Sequence, residues 1–128
     1  MGTFNVTIEV AGGPDGPFEA VEALAGNGQL YSSMPASLLR RLGVEPTDRR
    51  TFVTADGRSA ERDIGWPAVR LGGHERARPT LVVFAGDDDA ILLGNLTLTM
   101  VGLEVDPERA ELVPLTAYLP GIRLESGS

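Results

Sequence analysis

Glu22-Ala23-Leu24-Ala25-Gly26-Asn27-Gly28-Gln29-Leu30-Tyr31-Ser32-Ser33-Met34-Pro35-Ala36-Ser37-Leu38-Leu39 sets one glycine-rich turn between two apolar segments. From residue 24 to residue 42 the features run strand, small turn ending in glycine, short mixed strand, proline, then a helix reading Leu38-Leu39-Arg40-Arg41-Leu42-Gly43. Taken alone, Asn27-Gly28 is the sequence of a two-residue hairpin, since both residues tolerate the left-handed conformations of a type I′ turn. The flanks favour a different reading, a loop presented by a scaffold. Pro35 opens a helix at a first-turn position, where its missing N–H costs nothing. Leu38, Leu39 and Leu42 fall on one face of that helix, Gly43 stops it, and Arg40 and Arg41 lie on the solvated side near its C-terminus.

Working outward, residues 4–10 alternate apolar and polar side chains, the period of a strand with one buried face. Ala11-Gly12-Gly13-Pro14-Asp15-Gly16-Pro17 is a cluster of turn formers, and residues 18–25 resume a strand that delivers the chain to Gly26. Beyond the helix, Thr51-Phe52-Val53-Thr54 reads as a strand, Asp56-Gly57 as a tight turn, and a further strand follows it. Trp66, between Gly65 and Pro67, is expected to pack in the core or against the hairpin. Residues 79–85 form the most continuous β-forming apolar run, as expected of a strand buried on both faces. Asn95 is the expected cap of a short, mostly buried helix carrying Leu96, Leu98, Met100 and Val101. A hairpin through Asp106-Pro107-Glu108-Arg109 closes the domain, and residues 120–128 form a loose tail.

Length and composition exclude several functions. The 128 residues suit one domain, placed at residues 1–119, and 42% apolar with 23% charged residues is ordinary for a folded protein. No run approaches a membrane span and no secretory signal is evident, so a cytoplasmic protein without membrane attachment is expected. Cysteine is absent, which removes disulfides and thiolate metal sites. A net charge of −7 repels a phosphate backbone, so nucleic acid is not an expected partner. Asp87, Asp88 and Asp89 lack the alternate spacing of a calcium loop, and His74, the single histidine, has no imidazole partner. No metal or cofactor is expected.

In this order the features resemble the retropepsin-like (retroviral-type, clan AA) aspartic proteases. Their active-site turn carries Asp-Thr-Gly or Asp-Ser-Gly and is followed by a strand, a proline and a short helix. Alignment on Gly28 and Pro35 puts Gly26 where the family has its catalytic Asp and Asn27 where it has Thr or Ser. Leu92-Leu93-Gly94 matches the two aliphatics and glycine that support the family's active-site loop before its C-terminal helix. The hairpin around residues 56–62 takes the place of the family's flap, with Asp56, Gly57 and Arg58 as its peptide-binding tip. The resemblance implies a mostly β, single-domain closed barrel or half-barrel with one or two short helices, working as a two-fold homodimer on an extended peptide.

Aspartic proteases hold two carboxylates so close that they share a proton, and this dyad activates water. In a homodimer of this chain both loops read Gly26-Asn27-Gly28. Neither position titrates, because an amide accepts hydrogen bonds but takes no proton near neutral pH. The first expectation is therefore a catalytically silent protease homologue that keeps a peptide-binding cleft. The second is an active endopeptidase that recruits another carboxylate, from Asp15, Glu19, Glu22, Asp56 or the Asp87, Asp88, Asp89 run, or an enzyme inactivated by engineering. The third is a structural or assembly domain.

Overall fold

The computed structural model describes residues 2–26, 28–71 and 76–123; Asn27, Gly72-Gly73, His74 and the end of the tail from Leu124 lie outside them. Among the described residues the chain forms β1 (Phe4–Ala11), β2 (Glu19–Ala25), β3 (Ser32–Pro35), α1 (Ala36–Arg41), β4 (Asp48–Val53), β5 (Ser59–Gly65), β6 (Ala68–Leu71), β7 (Arg78–Pro79), β8 (Val82–Ala85), α2 (Asn95–Met100), β9 (Leu103–Asp106) and β10 (Glu111–Pro114). The protein is mostly β with two short helices. No helix among these residues is long and apolar enough to cross a membrane.

Two four-stranded sheets, ordered β2-β1-β6-β7 and β3-β8-β5-β4, carry the fold, with β9 and β10 as a separate ribbon. Leu92 bridges to Leu24 of β2 on one side and to Ser33 of β3 on the other. The two sheets are thereby joined around Leu92 into one run of strands ending at β7 and β4, which among the described residues does not close into a barrel. The chain crosses between sheets at Trp66-Pro67 and returns at Thr80-Leu81, and the Thr80 N–H donates to the Pro67 carbonyl at 3.1 Å, tying the crossings together.

Period-2 patterning places Ile8 and Val10 of β1 in the interior, where they meet Met34, Leu39, Val69, Val82, Leu93 and Leu98. Val82, Val83 and Phe84 of β8 are all buried, as the continuous apolar run requires of a strand with neighbours on both sides. A smaller cluster of Ile64, Leu81 and Val83 packs with Tyr31 and Phe52. Pro35 ends β3 and stands just ahead of α1, whose buried face is Leu38 and Leu39. At the other end Gly43 (φ +84°) allows the Val44 N–H to reach the Leu39 carbonyl at 2.8 Å and its own N–H to reach Arg40 at 3.0 Å, a Schellman closure.

Two sequence expectations are corrected. Trp66 is 47% exposed: its neighbours Gly65 and Pro67 are buried in the crossing, which turns the indole outward. Asn95 is the first residue of α2 rather than its cap, Gly94 holds the cap position, and the buried residues are Thr97 and Leu98, while Leu96 and Met100 are exposed. The helix is six residues long, and contacts of its first turn set its orientation more than its apolar content does.

Leu39 is fully buried between α1 and the sheets. Leu39→Ala is expected to lower the unfolding free energy by about 2–5 kcal/mol, read as a fall in the urea midpoint at unchanged slope.

Candidate functional site

β2 and β3 enter and leave the glycine loop, yet they do not pair with each other. Their ends are held apart by residues 91–93. The Leu24 N–H donates to the Ile91 carbonyl at 2.9 Å and the Leu93 N–H to the Leu24 carbonyl at 2.8 Å, while Ser33 and Leu92 exchange backbone hydrogen bonds at 3.1 and 2.9 Å. β2 and β3 are therefore not the two strands of one hairpin, and Asn27 itself lies outside the described residues. The loop instead passes over Gly94, where an added Cβ would lie 2.4 Å from the Tyr31 carbonyl carbon and 2.5 Å from the Leu30 oxygen. Only glycine fits there.

The loop and α2 satisfy each other's polar groups. The first N–H groups of a helix have no internal partner, and here Asn95 and Leu96 donate to the Gln29 and Leu30 carbonyls at 3.0 and 3.1 Å. The Gln29 side-chain amide donates to the Leu93 carbonyl at 2.9 Å and to the Leu24 carbonyl at 3.3 Å, clasping the two sides of the loop. Beneath it Ser32 Oγ accepts the Gly94 N–H at 2.9 Å and shares a hydrogen bond with Thr97 Oγ1 at 2.5 Å, both side chains being fully buried. Sequence reasoning missed Gln29, Ser32 and Thr97. Small hydroxyl residues in a strand and a helix carry no periodic signal, and only the loop's closure brings them within bonding distance.

Gly26 has φ +98°, in the left-handed region, and a Cβ there would lie 3.1 Å from both the Gly2 carbonyl oxygen and the Phe4 ring. The backbone at this position is shaped for glycine. Five of the seven carboxylates considered as replacements are engaged elsewhere, Glu19 with Arg41, Glu22 with Thr7, Asp56 with Thr54, Asp87 with the Ser37 N–H and Asp89 with the Gly86 N–H, and the other two, Asp15 and Asp88, are exposed. No group of three or more His, Asp or Glu residues suited to a metal ion occurs among the described residues.

β4 and β5 form the hairpin that follows α1, turning through residues 54–58 with Gly57 at φ +83°. Asp56, Gly57 and Arg58 are exposed at its tip. The Asp56 carboxylate is turned inward, accepting from Thr54 Oγ1 at 2.5 Å and from the Arg58 N–H at 3.2 Å. These bonds, the Thr54 hydroxyl foremost, hold the Asp56 carboxyl below the usual range. At Asp87 the Ser37 backbone N–H, the Ser37 side chain and the Arg40 charge act in the same direction. Both shifts run opposite to the raised pKa of a carboxyl that keeps its proton in an aspartic dyad.

The aspartyl protease family matches residues 6–96, and the chain belongs to that family. The solution structure of the simian foamy virus (mac) protease superposes with a TM-score of 0.54 at 18% identity, covering 75% of this chain and 92% of that one. A crystal structure of a retropepsin-like aspartic protease from Rickettsia conorii gives a TM-score of 0.43 at 20% identity, covering 83% and 89%. A search of the curated proteins finds no match. The fold is retropepsin-like, as the order of motifs implied.

Gly94→Ala is expected to destabilise the protein by about 3 kcal/mol or more, because the methyl meets backbone that cannot yield; a denaturation curve unchanged from wild type contradicts so close a crossing. A second expectation concerns pH. A carboxyl whose folded pKa is depressed stabilises the protein above its unfolded value, about 3.9 for Asp, and loses that contribution as pH falls through the folded value. The stability gap between wild type and Asp87→Asn is therefore expected to be widest near neutral pH and to close in acid, measured by urea unfolding across that range.

Proposed function

We propose that this protein is a catalytically silent retropepsin-like protease homologue that binds an extended peptide and works as a homodimer. The observation that carries the reading is a loop whose supports are intact while its acid position is a glycine in a left-handed backbone. Leu92, Leu93 and Gly94 act as the loop support, through the hydrogen bonds and close passage described above. Without a carboxylate at Gly26, no dyad can form on the two-fold axis, and the general acid–base assistance worth roughly 10²–10⁴ in rate is lost. The β4–β5 hairpin remains as a lid, with Asp56 bracing its turn and Gly57 and Arg58 facing the peptide. Peptide affinity then comes from strand addition and side-chain contacts.

Two features support pairing of two copies. β1 pairs with β6 only from Ile8 onward, so Phe4, Asn5, Val6 and Thr7 present an open edge beside a groove of about 360 Å³ lined also by Leu103, Ala110 and Leu112. Leu30, Leu96 and Met100, on the loop and α2, are exposed. The lack of cysteine suits a reducing compartment, and the reading places the protein in the cytoplasm.

Purified protein is expected to sediment as a dimer at micromolar concentration, to bind an unstructured polypeptide and to leave it uncleaved from acid to neutral pH. Cleavage that a statine-type inhibitor blocks would overturn the reading. Restoring the family's residues in Gly26→Asp with Asn27→Thr is expected to cost about 1–3 kcal/mol through strain at φ +98° and crowding by Phe4, without gain of peptidase activity.

A further inference from the structure

We propose that Arg50 and Arg62, on the β4–β5 hairpin, form a receptor for an acidic side chain of the bound peptide. The inference rests on the peptide-binding reading above and supplies its ligand chemistry. Register sets Arg50 directly opposite Arg62, so both side chains leave the same face of the hairpin. The pleat puts Phe52, opposite Ala60, and Ile64, opposite Asp48, on that face as well. Phe52 meets Tyr31 edge-on with ring centroids 5.4 Å apart, and Ile64 packs in the same cluster. The arginines therefore stand on the side of the lid that turns toward the chain leaving the glycine loop.

Like charges directly opposite one another destabilise an antiparallel pair. Each of the other described cross-strand couples with two charged members is compensated. Glu9 faces Arg70 at 3.0 Å and Arg49 faces Asp63 at 3.0 Å. Asp106 and Glu111, two acids set opposite each other, share Arg109 at 3.7 Å to each. Arg50 and Arg62 have no carboxylate at ion-pair distance among the described residues, although acidic residues outnumber basic ones by 18 to 11 in the chain. Arg62 spends one donor on the Glu61 carbonyl at 2.9 Å and keeps the others. Asp48, the acid on their face, instead accepts the Arg49 N–H at 2.8 Å.

The missing anion fits an added strand. β4 is the outer strand of its sheet, so a peptide pairing with its free edge lies about 10 Å, two strand spacings, from β5. A Glu opposite Arg50 on that strand shares the face of both arginines, and their long side chains converge on its carboxylate with charge-assisted hydrogen bonds.

The test is fluorescence anisotropy with a labelled decapeptide of alternating Val and Ser carrying one central Glu, and its counterpart with Gln. Wild type is expected to bind the Glu peptide about tenfold more tightly, with the preference fading in high salt. The double variant Arg50→Gln, Arg62→Gln is expected to bind both peptides as wild type binds the Gln peptide, and its urea midpoint reports that the fold is kept. Equal binding of the two peptides by wild type overturns the charge assignment while leaving the cleft standing. Binding of neither peptide overturns the peptide reading and this inference with it. A double variant that no longer dimerises overturns the inference too, by giving the arginines to a contact between copies.

Discussion

The passage of the glycine loop over Gly94 is the constraint on which the rest of the molecule depends. Backbone approaches backbone so closely that not even a methyl group fits between them. This contact lets Leu92 and Leu93 wedge between β2 and β3, so that two sheets are joined into one run of strands. It also delivers the carbonyls of Gln29 and Leu30 to the bare N-terminus of α2. A helix of six residues is too short to be stable by itself, and here its first turn is closed by the very loop it supports.

The polar pair beneath the loop shows the same economy. Ser32 and Thr97 are fully buried, and leaving either hydroxyl unmet would cost about 1–3 kcal/mol. They meet each other and the Gly94 N–H instead. Loop, seam and helix are thus coupled, and a change at any one is felt at the others.

The lid is built differently. Its turn is braced from within by Asp56 and Thr54, Phe52 beside that turn packs against Tyr31, and its strands are mostly exposed. Most of its energetic content is backbone pairing and charge, which salt and ligands alter more readily than they alter a packed core. The loop and the hairpin are the two sides of the peptide site proposed above.

Much of this was legible in the residues themselves. Alternation defined β1, the turn formers ahead of β2 marked its start, the apolar run defined β8, Pro35 and Gly43 bracketed α1, and Leu92-Leu93-Gly94 marked the seam, because each depends on local geometry and period. Tertiary structure alone decided the rest. Asn27-Gly28 has the sequence of a hairpin turn, yet the flanking strands β2 and β3 bond to residues 91–93 and not to each other. Ser32 meets Thr97 across 65 positions of chain, a contact without any periodic trace. Trp66 turns outward, and Thr97 inward in place of Leu96, because neighbours fix the direction of a short segment more firmly than its own hydrophobicity. The facing of Arg50 and Arg62 follows from register, which the turn and the packed face of a hairpin set together.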